Sequence, residues 1–425
     1  MIKRLWLKAS VIMFVLSAMS SGASSWVIDK EDDLIPTTKD VEEGSSSELL
    51  MDQKVHRTAL RQYVRGIKKH WDRAEVSDAT TWVVYSEDWA IKRVVDFKAN
   101  EVRVTLPREE KNGRIDFVKT NAEVKAQLIK VLLTGLDGAY EDDPVSATVR
   151  REFKGDREYL ASLNSDVVLS ELFSAKRPST RDAQRLATRM MQSALITYQQ
   201  NFAALDSNST DLPKGEKVLA KNSSLGVTVP VTLNKKLTYT VPLPKDRLRK
   251  KAKELKPTVA RYAGQLKVPS ELLFAIIHTE SHFNPLARSS APAYGLMQIV
   301  PATAGRDASR ALFDKPKRFS ASYLYNPTNN IELGAAYLNL LYYRYLGNIS
   351  KPKSRMYCAI AAYNTGAANV AKAFIRRPQM NKAIPHINKM SDDEVLERLL
   401  EGLSARETQL YLRKVLSRKA LYKNV

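Results

Sequence analysis

The sequence predicts an α+β N-terminal domain over residues 50–243, followed by an all-α domain over residues 244–425. Three observations carry this. Between Thr80 and Leu106 the apolar residues alternate or run β-branched, the pattern of half-buried strands. Pro242-Leu243-Pro244 then breaks the chain, because proline removes a backbone donor and fixes φ. Beyond it nearly every stretch carries a helical period. With 44% hydrophobic residues in 425, the chain has enough apolar material for proper cores.

Residues 1–23 open as MIKRLWLK, run through apolar Ala9 to Leu16 and end in small residues, with Ser21-Gly22-Ala23 as the cleavage site. This is expected to be an export signal, too short for a membrane span. An uncleaved signal acting as an anchor is the alternative, since Lys8 interrupts the apolar region. Residues 24–49, acidic and Ser-rich without periodicity, are expected to be a disordered linker.

Leu50 to Trp71 has helical spacing. Thr80–Tyr85, Trp89–Phe97 and Glu101–Leu106 read as an antiparallel meander, with a turn at Ala99-Asn100. A helix over Ala122–Leu133, an acidic loop over Asp137–Pro144 and a long helix over Thr180–Leu205 follow. Strands over Gly226–Leu233 and Leu237–Val241, joined at Asn234-Lys235, complete the unit, which contains no catalytic spacing.

The all-α domain begins with a basic helix over Asp246–Leu266. Ser270 reads as the N-cap of a helix whose apolar pattern spans Leu272–His282 and is closed by Asn284-Pro285. Asn330–Leu346 presents Ile331, Ala335, Leu338, Leu341 and Tyr345 as one stripe ended by Gly347, with Tyr337, Tyr342 and Tyr343 read as core. Helices over Ser354–Tyr363, Ala367–Arg376, Ser391–Leu400 and Ala405–Lys419 complete it.

The formal charge of +21 calls for a polyanion or an anionic surface as partner. Nucleic acid is set aside: no basic region interleaved with aromatics sits on a recognisable module, and an exported protein seldom meets it. The single cysteine, Cys358, lies in an apolar helical pattern, so no intrachain disulfide forms, and the signal region holds no cysteine to lipidate.

Glu280 is the residue that stands out. Leu273, Ile276, Ile277 and Glu280 share one helix face, so the carboxyl lies on the side that apolar residues bury, at the negative end of the dipole. Both effects favour a retained proton, as a general acid requires. The competing reading pairs Glu280 with a base such as Arg288. From Ser281 to Arg306 there is no acid, only a polar loop and short helix able to line a cleft.

E-S-x-F-x-P (Glu280, Ser281, Phe283, Pro285), G-L-M-Q-I-x-P-x-T-A (Gly295 to Ala304) and A-Y-N-x-G (Ala362 to Gly366) occur in that order. Together they resemble the lytic murein transglycosylases with a goose-type-lysozyme-like domain. The long N-terminal domain and the segment Glu407-Thr408-x-x-Tyr411 resemble most the membrane-bound, C-type members. Such relatives are lipoproteins, and the absent cysteine departs from them. Pro292, where many relatives have glycine, departs in the loop path.

The resemblance implies an all-α lysozyme-like catalytic domain in which Glu280 acts first as acid and then as base. Ser289 and Gln298 would bond the sugar and its acetamido group, Met297 would shape a subsite, Tyr363 and Asn364 would line the −1 side, and Tyr411 would hold the Glu280 proton. Glycosidases ordinarily need a pair of carboxylates. One suffices where the acetamido oxygen and 6-hydroxyl of N-acetylmuramic acid do the rest, giving a 1,6-anhydro product without water. Peptidoglycan glycan strands are thus the expected partner, in a Gram-negative periplasm, with no cofactor and no metal. A monomer is expected, and the N-terminal domain is left as the surface for cell-wall or membrane-associated proteins. The alternative is a lysozyme-like module that binds peptidoglycan without cutting it. His278 and His282 flank Glu280 at i and i+4, but Glu280 at i+2 points about 200° away from His278, which disfavours a zinc site.

Overall fold

The computed structural model describes residues 26–28, 47–107, 110–111, 114–152, 163–198 and 236–425. The expected export signal and the expected strand over Gly226–Leu233, with its turn at Asn234-Lys235, lie outside them. Within the expected linker, β1 (Trp26–Ile28) pairs antiparallel with β2 (Ala74–Val76), so that stretch contributes a strand.

The meander is present as β3 (Thr81–Tyr85), β4 (Lys92–Asp96) and β5 (Glu101–Pro107). A short hairpin, β6 (Glu110–Lys111) with β7 (Arg114–Ile115), follows. With β8 (Leu195–Tyr198) and β9 (Lys236–Pro242) the main sheet has the order β3-β4-β5-β9-β8, antiparallel throughout. Alternation decides the two faces. Trp82, Val95, Val102, Val104 and Tyr239 pack under α2 (Phe117–Leu133) and α5 (Thr180–Met191). Val83, Tyr85 and Val94 meet Leu60, Val64 and Ile67 of α1 (Ser47–Lys68). Each fully buried aliphatic side chain contributes roughly 2 kcal/mol.

Two expectations are corrected here. The helix expected to reach Leu205 ends at Met191, and Leu195–Tyr198 returns as β8 against β9. Its sequence, LITY, is β-branched and aromatic, and the ladder supplies backbone partners. The expected loop Asp137–Pro144 instead holds α3 (Leu136–Glu141) and the start of α4 (Pro144–Glu152). Leu136 and Tyr140 bury their side chains, and Asp143 caps α4 by accepting from the Ser146 N–H at 2.8 Å. Pro144 opens the helix where no amide donor is needed.

The remainder is helical: α6 (Arg247–Gln265), α7 (Ser270–Ser281), α8 (Arg306–Phe313), α9 (Ala321–Tyr325), α10 (Pro327–Asn339), α11 (Pro352–Thr365), α12 (Ala367–Ile375), α13 (Met380–Lys389), α14 (Asp392–Gly402) and α15 (Arg406–Lys419). Pro269 occupies the N-cap of α7, so Ser270 is its first helical residue rather than the expected cap. The expected helix Asn330–Leu346 becomes α10 plus a π-type turn over Leu340–Tyr345. The expected stripe stays on the core side across that turn: Ile331, Ala335, Leu338 and Leu341 are buried and Tyr345 packs against them. Tyr343, which lies off that stripe, is 46% exposed rather than core and donates to the Lys267 carbonyl, while Tyr337 and Tyr342 are half-buried.

Apolar packing runs without a break from the β5 and β9 residues into α6, α7 and α15. Arg247, fully buried, ties the regions together. It donates to Asn100 Oδ1 (2.8 Å) and the Phe97 carbonyl (2.9 Å), and pairs with Glu171 at 3.1 Å.

Candidate active site

Helix α7 delivers Glu280 in its last turn, facing α15. His282 and Phe283 follow with φ of 49° and 65°, both left-handed, which turns the chain sharply away from the carboxyl. Glu280 is 5% exposed, and Tyr411 of α15 donates its hydroxyl to Oε1 at 2.7 Å. Burial pushes the Glu280 carboxyl up to about 8, with the nearby Glu407 adding to the rise and the Tyr411 hydrogen bond opposing it. Burial also lifts Glu407 to about 7. Near neutral pH Glu280 therefore keeps its proton.

Arg288 does not pair with Glu280. Its guanidinium bonds Asp143 Oδ2 at 2.6 Å. Burial, Arg418 and Arg247 lower His278 to about 3, and burial with Arg418 lowers His282 further still. Both rings are engaged: His278 Nδ1 with the Tyr422 hydroxyl at 2.9 Å, and His282 Nε2 accepting from Arg418 at 3.2 Å. Among the described residues no group of three or more His, Cys, Asp or Glu is placed to hold a metal ion.

The second motif forms a tight turn beside the acid. Gly295 has φ of +75°, and a Cβ there would collide with the Leu324 carbonyl. The Met297 amide donates to Asn330 Oδ1 at 2.7 Å, and Asn330 Nδ2 donates to the Tyr294 and Leu324 carbonyls, each at 2.8 Å. Tyr363 of α11 donates to the Met297 carbonyl at 2.9 Å. Met297 is buried against Gly334, where a Cβ would run into its sulfur.

Two pairs thus lie side by side, Tyr411 with Glu280 and Tyr363 with Met297, close enough that the Glu280 charge acts on the Tyr363 hydroxyl. Gln298, with φ of 48°, donates from Nε2 to the Gly295 carbonyl at 3.1 Å. Its buried Oε1 has no hydrogen-bond partner among the described residues. Asn364 is buried next to Tyr363. Ser289 spends its hydroxyl on the Ala291 carbonyl inside its own loop, so this structure does not bond it to either pair. Sequence reasoning missed Asn330 and Gly334, although an asparagine beginning an apolar stripe and a glycine inside a helix were the available signals.

Glu280 is thus a carboxyl buried on a helical scaffold and held by a phenol rather than a cation, an environment that favours its protonated form. Residues 257–384 match the family model described as "Transglycosylase SLT domain". Glu280 to Asn364 lie inside the match, Tyr411 outside it. Over 184 residues the chain is 41% identical to the membrane-bound lytic murein transglycosylase C of Yersinia pestis (strain Pestoides F), covering 43% of this chain and 51% of that one. The Yersinia pseudotuberculosis serotype O:1b (strain IP 31758) protein of the same name gives the same values. The chain therefore spans about half the length of these curated relatives. Among solved structures, an inactive variant of the lytic transglycosylase Slt of Pseudomonas aeruginosa is 32% identical over 39% of this chain and 23% of that one, with a TM-score of 0.31.

Proposed function

We propose that this protein is a lytic transglycosylase that cuts the β-1,4 bond between N-acetylmuramic acid and N-acetylglucosamine of peptidoglycan. The observation that carries this is Glu280, buried with the Tyr411 hydroxyl on one oxygen and no cation paired to it among the described residues. With Tyr411 donating to Oε1, Oε2 is the oxygen that carries the transferable proton. Glu280 protonates the glycosidic oxygen, and the acetamido oxygen of the muramic acid steadies the positive centre. Glu280, now a carboxylate, takes the proton of the 6-hydroxyl as that oxygen closes on C1. The product carries a 1,6-anhydro end and no water is consumed.

Met297 and Tyr363 shape the subsite wall, and the free acceptor of Gln298 suits an acetamido N–H. Asn364 lines the −1 side, while Ser289 reaches the sugar once its loop bond to Ala291 is exchanged. The domain division at residue 243, a lysozyme-like fold for the helical part and a periplasmic location belong to the same reading. Among the described residues no helix is long and apolar enough to cross a membrane.

The test is digestion of peptidoglycan sacculi followed by mass spectrometry of the released muropeptides. Anhydro ends are expected; reducing ends would mean hydrolysis and sink the single-acid mechanism.

A further inference from the structure

The loop that follows Glu280 is held from outside the matched domain. The Arg288 amide donates to the Asp78 carbonyl (3.3 Å), its Nε to the Ser77 carbonyl (3.5 Å) and its Nη1 to Asp143 Oδ2 (2.6 Å). Asn284 Nδ2 donates to the Ala79 carbonyl at 3.4 Å. On the far side Leu49 packs on Ala293, Val300 and Ala302, and Asp52 of α1 pairs with Arg318. Three N-terminal segments thus grip a loop on which Ser289 and, further on, Met297 and Gln298 ride. Arg288, 4% exposed, stands in the walls of two cavities of about 900 and 840 Å³. An unclamped loop would have room to move into them.

We infer that Asp143 is a positioning residue which, through Arg288, sets the path of the Ser289–Gln298 loop, making the N-terminal region a working part of the glycan site. This rests on the glycan-cleaving reading only for the identity of the ligand. Asp143 touches no reacting atom in this scheme. A buried guanidinium that loses its carboxylate is left uncompensated and shifts to find another partner. Glu280 sits on α7 and is held by α15, so its acidity does not depend on the clamp.

The test uses full-length Asp143→Asn, which keeps the α4 cap while removing the charge, and Asp143→Glu, which keeps the charge. Kinetics are followed on soluble peptidoglycan oligosaccharides, and binding of the same oligosaccharides is measured by calorimetry in a Glu280→Gln background. For Asp143→Asn, KM and Kd should rise about tenfold with kcat within about twofold, because a displaced loop costs binding contacts while the acid stays in place. Asp143→Glu should recover most of that loss. Unchanged Kd, or an equal fall in kcat with no change in KM, overturns the inference. A wild-type protein that binds glycan and cuts nothing overturns the transglycosylase reading instead, and the Kd comparison still decides the clamp.

Discussion

Two buried glutamates show opposite ways of handling a carboxyl in a protein interior. Glu171, in the N-terminal region, lies between Arg247 at 3.1 Å and Lys251 at 3.3 Å, an ion cluster that ties the turn at residues 170–172 to α6. Glu280 has only the neutral Tyr411 hydroxyl as hydrogen-bond partner among the described residues. Burying a charge is costly unless it is paired: the first carboxyl has two cations beside it, while the second has none and its burial favours the protonated form. The difference between the two sites is therefore not burial, which they share, but the cation that only the first has.

Breaking the comparison at Glu280 has the largest effect. Glu280→Gln should lower kcat about 10³-fold, measured by muropeptide release, because a general acid supplies about that much. The same variant should be more stable at high pH. With a folded-state value of about 8 against an ordinary 4.5, the Glu280 contribution is fully present below about 4.5 and is lost as pH rises toward 8. The loss amounts to at most about 1.4 kcal/mol per pH unit. The Tm advantage of the variant should therefore be greater at pH 8 than at pH 5.

At the other pole, Glu171→Gln leaves Arg247 and Lys251 without their shared carboxylate. Urea unfolding should show a loss of about 3–5 kcal/mol with kcat per folded molecule unchanged. A catalytic defect with intact stability would reverse the roles assigned to the two glutamates.

The smallest change sharpens the contrast. Tyr411→Phe should lower kcat about tenfold through lost orientation. It should also move the alkaline limb of the kcat/KM profile upward, because the Tyr411 hydrogen bond lowers the Glu280 value and its loss raises it. A downward shift would show that Tyr411 does something else.

Local pattern was enough to read the meander, the helix that carries Glu280 and the burial of its carboxyl, since these rest on spacing over a dozen residues or fewer. The three motifs named Met297, Gln298 and Tyr363, and the separate Glu407-Thr408-x-x-Tyr411 segment named Tyr411, although pattern alone could not put Tyr411 against Glu280 across 131 positions. Long-range pairing defeated the rest. The LITY segment is a strand because β9 is available to it, and Arg288 bonds Asp143 because α4 starts where the sequence suggested a loop. The π-type turn at Leu340 left the stripe on the core side, and the misreading there was to count Tyr343 as core although about 100° per residue puts it off the stripe.

The most direct test is the protonation state of Glu280 itself, read from the difference infrared spectrum of wild type minus Glu280→Gln as a function of pH. A protonated carboxyl band that persists at pH 7 and titrates with a midpoint near 8 is predicted. A carboxylate already formed at pH 7, with a midpoint in the ordinary range near 4.5, would contradict the account at its centre.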